Sequence, residues 1–112
     1  MAKPHGNLKD IRTFVEIVAA LRAPDGCPWD REQTHSSLAR YAIEETFEMV
    51  EALEEREAAR SAASILPKAL TDKFIPQALT DKFIPQHLTD KFKDELGDVL
   101  FQVVLHSQLA QE

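Results

Sequence analysis

Cysteine, glycine and aromatic residues are scarce in this chain, and each shortage narrows what it can be. One cysteine, Cys27, stands in 112 residues, with three glycines, one tryptophan and one tyrosine. A lone cysteine excludes an internal disulfide and suits a reducing cytosol, so a cytoplasmic location is expected. Cys27 as a nucleophile is the weaker reading, because lone cysteines are usually packed and inert. No stretch approaches the roughly 20 apolar residues that cross a bilayer, so no membrane partner is expected. Met1 to Asn7 is polar and lacks the apolar run of a secretory leader. Positive charge is also short: 13 Lys and Arg face 19 Asp and Glu, for a net charge of −6. That balance argues against direct nucleic-acid binding, which draws on clustered bases. It leaves room for a nucleotide substrate, because a divalent cation can bridge carboxylates to phosphates. Apolar residues make up 44% of the chain, enough for the core of one small domain over residues 1–112.

What is abundant is carboxylate, and some of it is ordered. Glu44, Glu45 and Glu48 read EExxE, and Glu95 and Asp98 read ExxD. With about 100° between successive helical residues, the first three fall within one arc of a helix. Glu95 and Asp98 lie about 60° apart on a second helix. If the two helices pack antiparallel, the acidic faces meet. A cluster of hard oxygen donors suits Mg²⁺, with Mn²⁺ as a second choice. Without a cation such carboxylates repel, and at least one pKa must rise. The bland alternative is a solvated acidic face, which fits Glu51, Glu54, Glu55 and Glu57. Apolar neighbours separate the two cases. Ile43, Phe47, Val50 and Leu53 interleave the first cluster, and Leu96, Val99, Leu100 and Val103 accompany the second. Acids set beside a core carry a desolvation cost that solvated ones do not.

Periodicity predicts three long helices. Leu8, Ile11, Val15 and Val18, with Phe14, Ile17 and Leu21 alongside, predict the first over Leu8 to Ala23. Pro24, Gly26 and Pro28 end it in a loop that carries Trp29 and Asp30. Trp29 there is either an anchor on the core or a wall of a substrate pocket. A second helix starts after a Ser36 or Ser37 cap and runs to about Ala62. The last helix begins near Thr89 or Asp90 and ends near Gln111. From Val99 to Leu105 only Gln102 is polar, and a helix apolar all round needs cover on several sides. Oligomerisation, as a homodimer or higher assembly, is the natural remedy. Between the last two helices lies a repeat. Ala69–Gln77 (ALTDKFIPQ) recurs unchanged as Ala78–Gln86 and begins a third time at His87–Phe92. Its prolines forbid a continuous helix, and residues 64–92 are expected to be a tolerated insertion.

The segment Gly26-Cys27-Pro28-Trp29-Asp30-Arg31-Glu32-Gln33-Thr34-His35 resembles the GCPWDxEQTH block of the MazG family of nucleoside triphosphate pyrophosphohydrolases. Tyr41-Ala42-Ile43-Glu44-Glu45-Thr46-Phe47-Glu48 follows it as in that family. Asp94 to Val104 (DELGDVLFQVV) resembles the family's ELGDLLxQVV helix. The likeness covers roughly residues 8–57 and 93–112. It implies an all-α, antiparallel helical bundle of the MazG type, completed by oligomerisation. It further implies an enzyme that splits nucleoside triphosphates into monophosphate and pyrophosphate with Mg²⁺. On that reading Glu45, Glu48, Glu95 and Asp98 hold the metal, and Glu44 completes its shell or orients water as a base. Trp29, Arg31 and Lys93 are the candidate substrate-binding residues. The chain departs from the family in the repeat between Glu48 and Glu95, and in stopping at Glu112 where relatives continue into a further helix. The alternative reading is therefore a MazG-like remnant that keeps the fold, the assembly and nucleotide binding but has impaired turnover. A di-iron carboxylate bundle, suggested by Glu32 and His35 as ExxH, needs a second ExxH that the chain lacks.

Overall fold

The chain is all-α. The computed structural model describes residues 6–63 and 84–112. Its helices are α1 (Ile11–Arg22), α2 (Pro28–Glu32), α3 (His35–Ala63) and α4 (Gln86–Gln111), and no strand occurs among the described residues. Residues 64–83, with most of the first two repeat copies, lie outside them.

Local chemistry sets each boundary. The Asn7 side chain accepts the Lys9 N–H at 2.9 Å, and the Asp10 carboxylate caps α1 by accepting the Arg12 N–H at 2.9 Å. α1 thus starts at Ile11, later than the apolar spacing from Leu8 predicts. At its far end the chain doubles back tightly. Cys27 N–H donates to the Leu21 carbonyl at 2.9 Å, and a Cβ on Gly26 would fall 2.3 Å from that same oxygen. Only glycine fits there. The predicted loop then holds a short helix: Pro28 supplies the fixed φ that suits a first helical position, and α2 runs for 5 residues. Thr34 caps α3 in place of Ser36 or Ser37. Thr34 N–H donates to Ser37 Oγ at 2.8 Å while Ser37 N–H donates to Thr34 Oγ1 at 3.1 Å, the reciprocal bond pair of a capping box. α4 begins at Gln86, earlier than Thr89, because Pro85 lies just outside it and its carbonyl accepts the Leu88 N–H at 3.0 Å. The third repeat copy, His87–Phe92, is therefore helical.

The chain divides into two compact units. The first comprises residues 1–43 and 100–112 and is built on a buried cluster of Val18, Leu38, Val104 and Leu105. Phe14, Phe101 and Leu109 pack against it, with the two phenyl rings 6.2 Å apart. Each such apolar side chain removed from water contributes about 1.5–3 kcal/mol. Of the predicted α1 stripe only Val18 is buried; Leu8, Ile11 and Val15 are exposed. In the apolar stretch of α4, Gln102 is buried and Val103 is 57% exposed.

The second unit spans Glu44–Val99. Within it α3 and α4 run antiparallel. Arg56 Nε donates to Thr89 Oγ1 at 3.2 Å, and Lys91 Nζ pairs with Glu55 at 3.0 Å. Among its described residues only Ala52 and Ile84 are buried apolar groups.

Candidate metal centre

The second unit brings carboxylates from both helices together. One oxygen from each of Glu45, Glu95 and Asp98 lies within 4.8 Å of the others. The helical period places them so. Glu45 lies two turns before the buried Ala52 on α3, and Glu95 and Asp98 are one turn apart on the opposing helix. Glu48 lies in the same electrostatic neighbourhood and acts on both Glu45 and Glu95, at hydrogen-bond range. A bond between two carboxyl groups needs a proton between them. Glu44 is exposed and is not one of the three converging acids.

The electrostatics record the crowding. Burial, with the charges of Asp98, Glu48 and Glu95, pushes the Glu45 carboxyl above the usual carboxylate range. Burial and the charges of Glu48 and Asp98 do the same to Glu95, against a smaller opposing pull from Lys91. Glu45 Oε2 and Glu95 Oε2 are both shielded from solvent and make no hydrogen bond. Two shielded acceptors without donors, among repelling carboxylates, are a costly arrangement for an apo protein. It becomes favourable around a hard cation. An octahedral Mg²⁺ shell at about 2.0–2.1 Å sets its oxygens roughly 3–4 Å apart, and the three oxygens here lie within 4.8 Å of one another. The residues present therefore fit a divalent cation.

The other candidate residues lie elsewhere. Lys93 is exposed on α4 in the second unit. Trp29 and Arg31 belong to α2 in the first unit. Trp29 is 46% exposed and meets Tyr41 edge to face at 5.9 Å, which supports the ring without burying it. Arg31 Nη1 donates to the Pro24 carbonyl at 2.5 Å.

Several features escape sequence reasoning. Lys91, rather than Lys93, is the base whose charge reaches Glu95. The clue in the sequence is a Lys four residues before the Glu of the ExxD, one helical turn away. Arg22, at the end of α1, is nearly buried and bonded on every nitrogen, and no spacing announces it. His35 and His106 pair with each other, with Nδ1 atoms 2.8 Å apart and ring planes within 12°. Ring centroids 5.0 Å apart put these rings edge to edge, so one Nδ1 must donate and the other accept. Two histidines this distant in sequence carry no local signal of contact. The pairing also removes His35 from any ExxH metal motif.

An all-α chain with acids from two antiparallel helices converging in this way defines a class of helical proteins built to hold hard cations. Comparison narrows the class. Residues 33–112 match the MazG nucleotide pyrophosphohydrolase domain. The nucleoside triphosphate pyrophosphohydrolase/pyrophosphatase MazG of Thermotoga maritima is 39% identical over 88% of this chain and 27% of its own length. The nucleoside triphosphate pyrophosphohydrolase of Escherichia coli K12 is 34% identical over 94% of the chain and 28% of its own length. An uncharacterized Bacillus subtilis protein, YabN, is 37% identical over 92% of the chain and 15% of its own length. The chain thus spans little more than a quarter of these relatives at most. No solved structure matches. The chain belongs to the MazG family.

Proposed function

We infer that this chain hydrolyses nucleoside triphosphates to the monophosphate and pyrophosphate in a divalent-metal-dependent reaction, with Mg²⁺ as the ion. The observation that carries this reading is the convergence of Glu45, Glu95 and Asp98 with two shielded, unbonded carboxylate oxygens inside a MazG sequence match. Glu45, Glu48, Glu95 and Asp98 would hold the cation. When bound, it neutralises phosphate charge and lowers the pKa of water. Glu44 accepts a proton from the water that attacks the α-phosphorus, and the bond to the bridging oxygen breaks to release pyrophosphate. Trp29 and Arg31 are the candidate substrate-binding groups of the first unit, and Lys93 is that of the second. The repeat is a passenger in a single domain over residues 1–112, inserted at 64–92, with its last copy continued into α4.

A second copy of the chain completes the fold. In the first unit Ile43 and Val103 are more than half exposed; in the second, Phe47 is 71% exposed and Leu96 is 42% exposed. Apolar surface of this extent marks an association site. Val103→Glu should be tolerated by an isolated chain and should dissociate a dimer, which light scattering reads directly. The free, half-buried Cys27 fits a cytoplasmic location, and no described helix is long and apolar enough to cross a membrane.

Purified protein incubated with several NTPs and Mg²⁺, with released pyrophosphate as the readout, tests the function. Turnover that disappears in Glu48→Gln and persists in Glu57→Gln supports it. Tight nucleotide binding without turnover would favour the remnant reading instead.

A further inference from the structure

Arg22 makes five side-chain hydrogen bonds, and none reaches the three converging acids. Its side chain is 9% exposed. Nη1 donates to the carbonyls of Asp30 at 2.6 Å, Arg31 at 3.0 Å and Gln33 at 2.9 Å. Nε and Nη2 form a two-pronged pair with the Glu112 carboxylate at 3.1 and 2.6 Å. Every nitrogen is spent, so this guanidinium has nothing left to offer a phosphate. What it holds is informative. The three carbonyls are those of the end of α2 and its cap; Asp30's also accepts the Gln33 N–H at 3.3 Å, and helix ends leave the others without an intrahelical donor. A helix of 5 residues cannot persist through its own bonds. α2 presents Trp29 and Arg31. Its other ties are light: Gln33 Nε2 donates to the Trp29 carbonyl at 2.9 Å, and Arg31 Nη1 donates to the Pro24 carbonyl. Asp30, 6% exposed, adds a favourable charge to Arg22. Glu112 neutralises the guanidinium on its far side, and Gln108 donates to the same carboxylate at 3.3 Å.

We propose that Arg22, oriented by Glu112, is a positioning residue that holds the α2 turn and thereby sets Trp29 and Arg31 for nucleotide binding. This rests on the reading of Trp29 and Arg31 as substrate-binding groups. A planar fork is required. It spans three carbonyls on one edge and a carboxylate on the other, which a lysine ammonium cannot do. Loss of the clamp frees the turn, so nucleotide affinity falls while the metal-holding acids of the second unit are untouched.

Trp29 is the only tryptophan in the chain, so intrinsic fluorescence reports this turn alone. The 112-residue chain with Arg22→Gln, Arg22→Lys or Glu112→Gln is compared with the parent. The readouts are Trp29 emission and acrylamide quenching, the Mg²⁺-induced rise in Tm, and KM and kcat for ATP hydrolysis. Arg22→Gln should shift emission to the red, increase quenching and raise KM about tenfold. It should leave kcat within about twofold and the Mg²⁺ increment intact. Arg22→Lys should recover little, and Glu112→Gln should move the same readouts by a smaller amount. If Arg22→Gln does not fold, the other two variants carry the test. Unchanged emission and quenching in the folded variants overturn the proposal, as does equal loss of kcat and the Mg²⁺ increment. Trp29→Ala separates the two levels. If it raises KM and the Arg22 variants do not, the clamp is overturned. If it leaves KM unchanged, the role of Trp29 in substrate binding fails, and the fluorescence still decides whether Arg22 holds the turn.

Discussion

The two units differ in how they use their interiors. The first buries Val18, Leu38, Val104 and Leu105 and ties its loop down with Arg22. The second, among its described residues, buries only Ala52 and Ile84 as apolar groups and spends its helix–helix contact on Glu45, Glu95 and Asp98. One unit is held by packing. The other holds repelling charge at a place where packing would be more stable. α3 and α4 each contribute to both, so the same two helices carry stability at one end and a cost at the other. A protein tolerates that cost where a ligand repays it, which makes the second unit the place to look for chemistry.

The sharpest way to break this contrast is to hollow out the first unit. Leu105→Ala removes a side chain with 0% exposure and should cost about 2–5 kcal/mol in urea unfolding. In the proposed enzyme, turnover per folded molecule should be unchanged. Mg²⁺ should then act on the second unit. At a hundred times its Kd it should add about 2.7 kcal/mol, read as a rise in Tm. Glu48→Gln should lose most of this increment and Glu57→Gln should keep it; equal responses would remove the proposed site.

pH offers a third test. Glu45 and Glu95 sit above their ordinary value of 4.5 in the folded chain, chiefly through burial. The folded state therefore holds protons that the unfolded state has released. The stability this gives is complete below the ordinary value and is lost as pH rises through the elevated folded values. Asp10, bonded to Arg12, and Glu112, bonded to Arg22, have the opposite sign: their contributions are lost as pH falls through their depressed values. In EDTA, Tm should fall as pH rises above 4.5 and through the raised folded values of Glu45 and Glu95. Glu45→Gln should flatten that slope, and Mg²⁺ should reverse it. A flat slope in the parent would mean the acids do not repel as placed. The smallest expected effect is Lys91→Ala. This base pairs with Glu55 in a largely exposed bridge, so urea unfolding should barely register its loss.

The parts of the fold governed by a period were legible from sequence. The acidic register on α3 and α4 follows from 3.6 residues per turn, and three long helices were expected over the right segments. What period cannot express was missed. α2 is too short to show one, and its existence depends on a proline at its start and a distant arginine. Leu8, Ile11 and Val15 keep helical spacing yet remain exposed; spacing identifies a stripe but not what covers it. The start of α4 was placed too late because Pro85 reads as a breaker, whereas just outside a first turn it costs nothing. Helix geometry set Glu44, Glu45 and Glu48 on one acidic face and Glu95 with Asp98 on another, and their meeting rested on the antiparallel packing of two helices. The bonds of Arg22 and of His35 to His106 join residues that only the folded chain brings together.

The repeat has one consequence that bears on lineage rather than on chemistry. α4 draws on the copy next to Lys93, through Thr89 and Lys91. The two upstream copies are identical in sequence, so loss of any one nine-residue unit, or gain of another, leaves the sequence from Ile84 to Glu112 unaltered. Copy number can drift among close descendants without touching a residue that α4 uses.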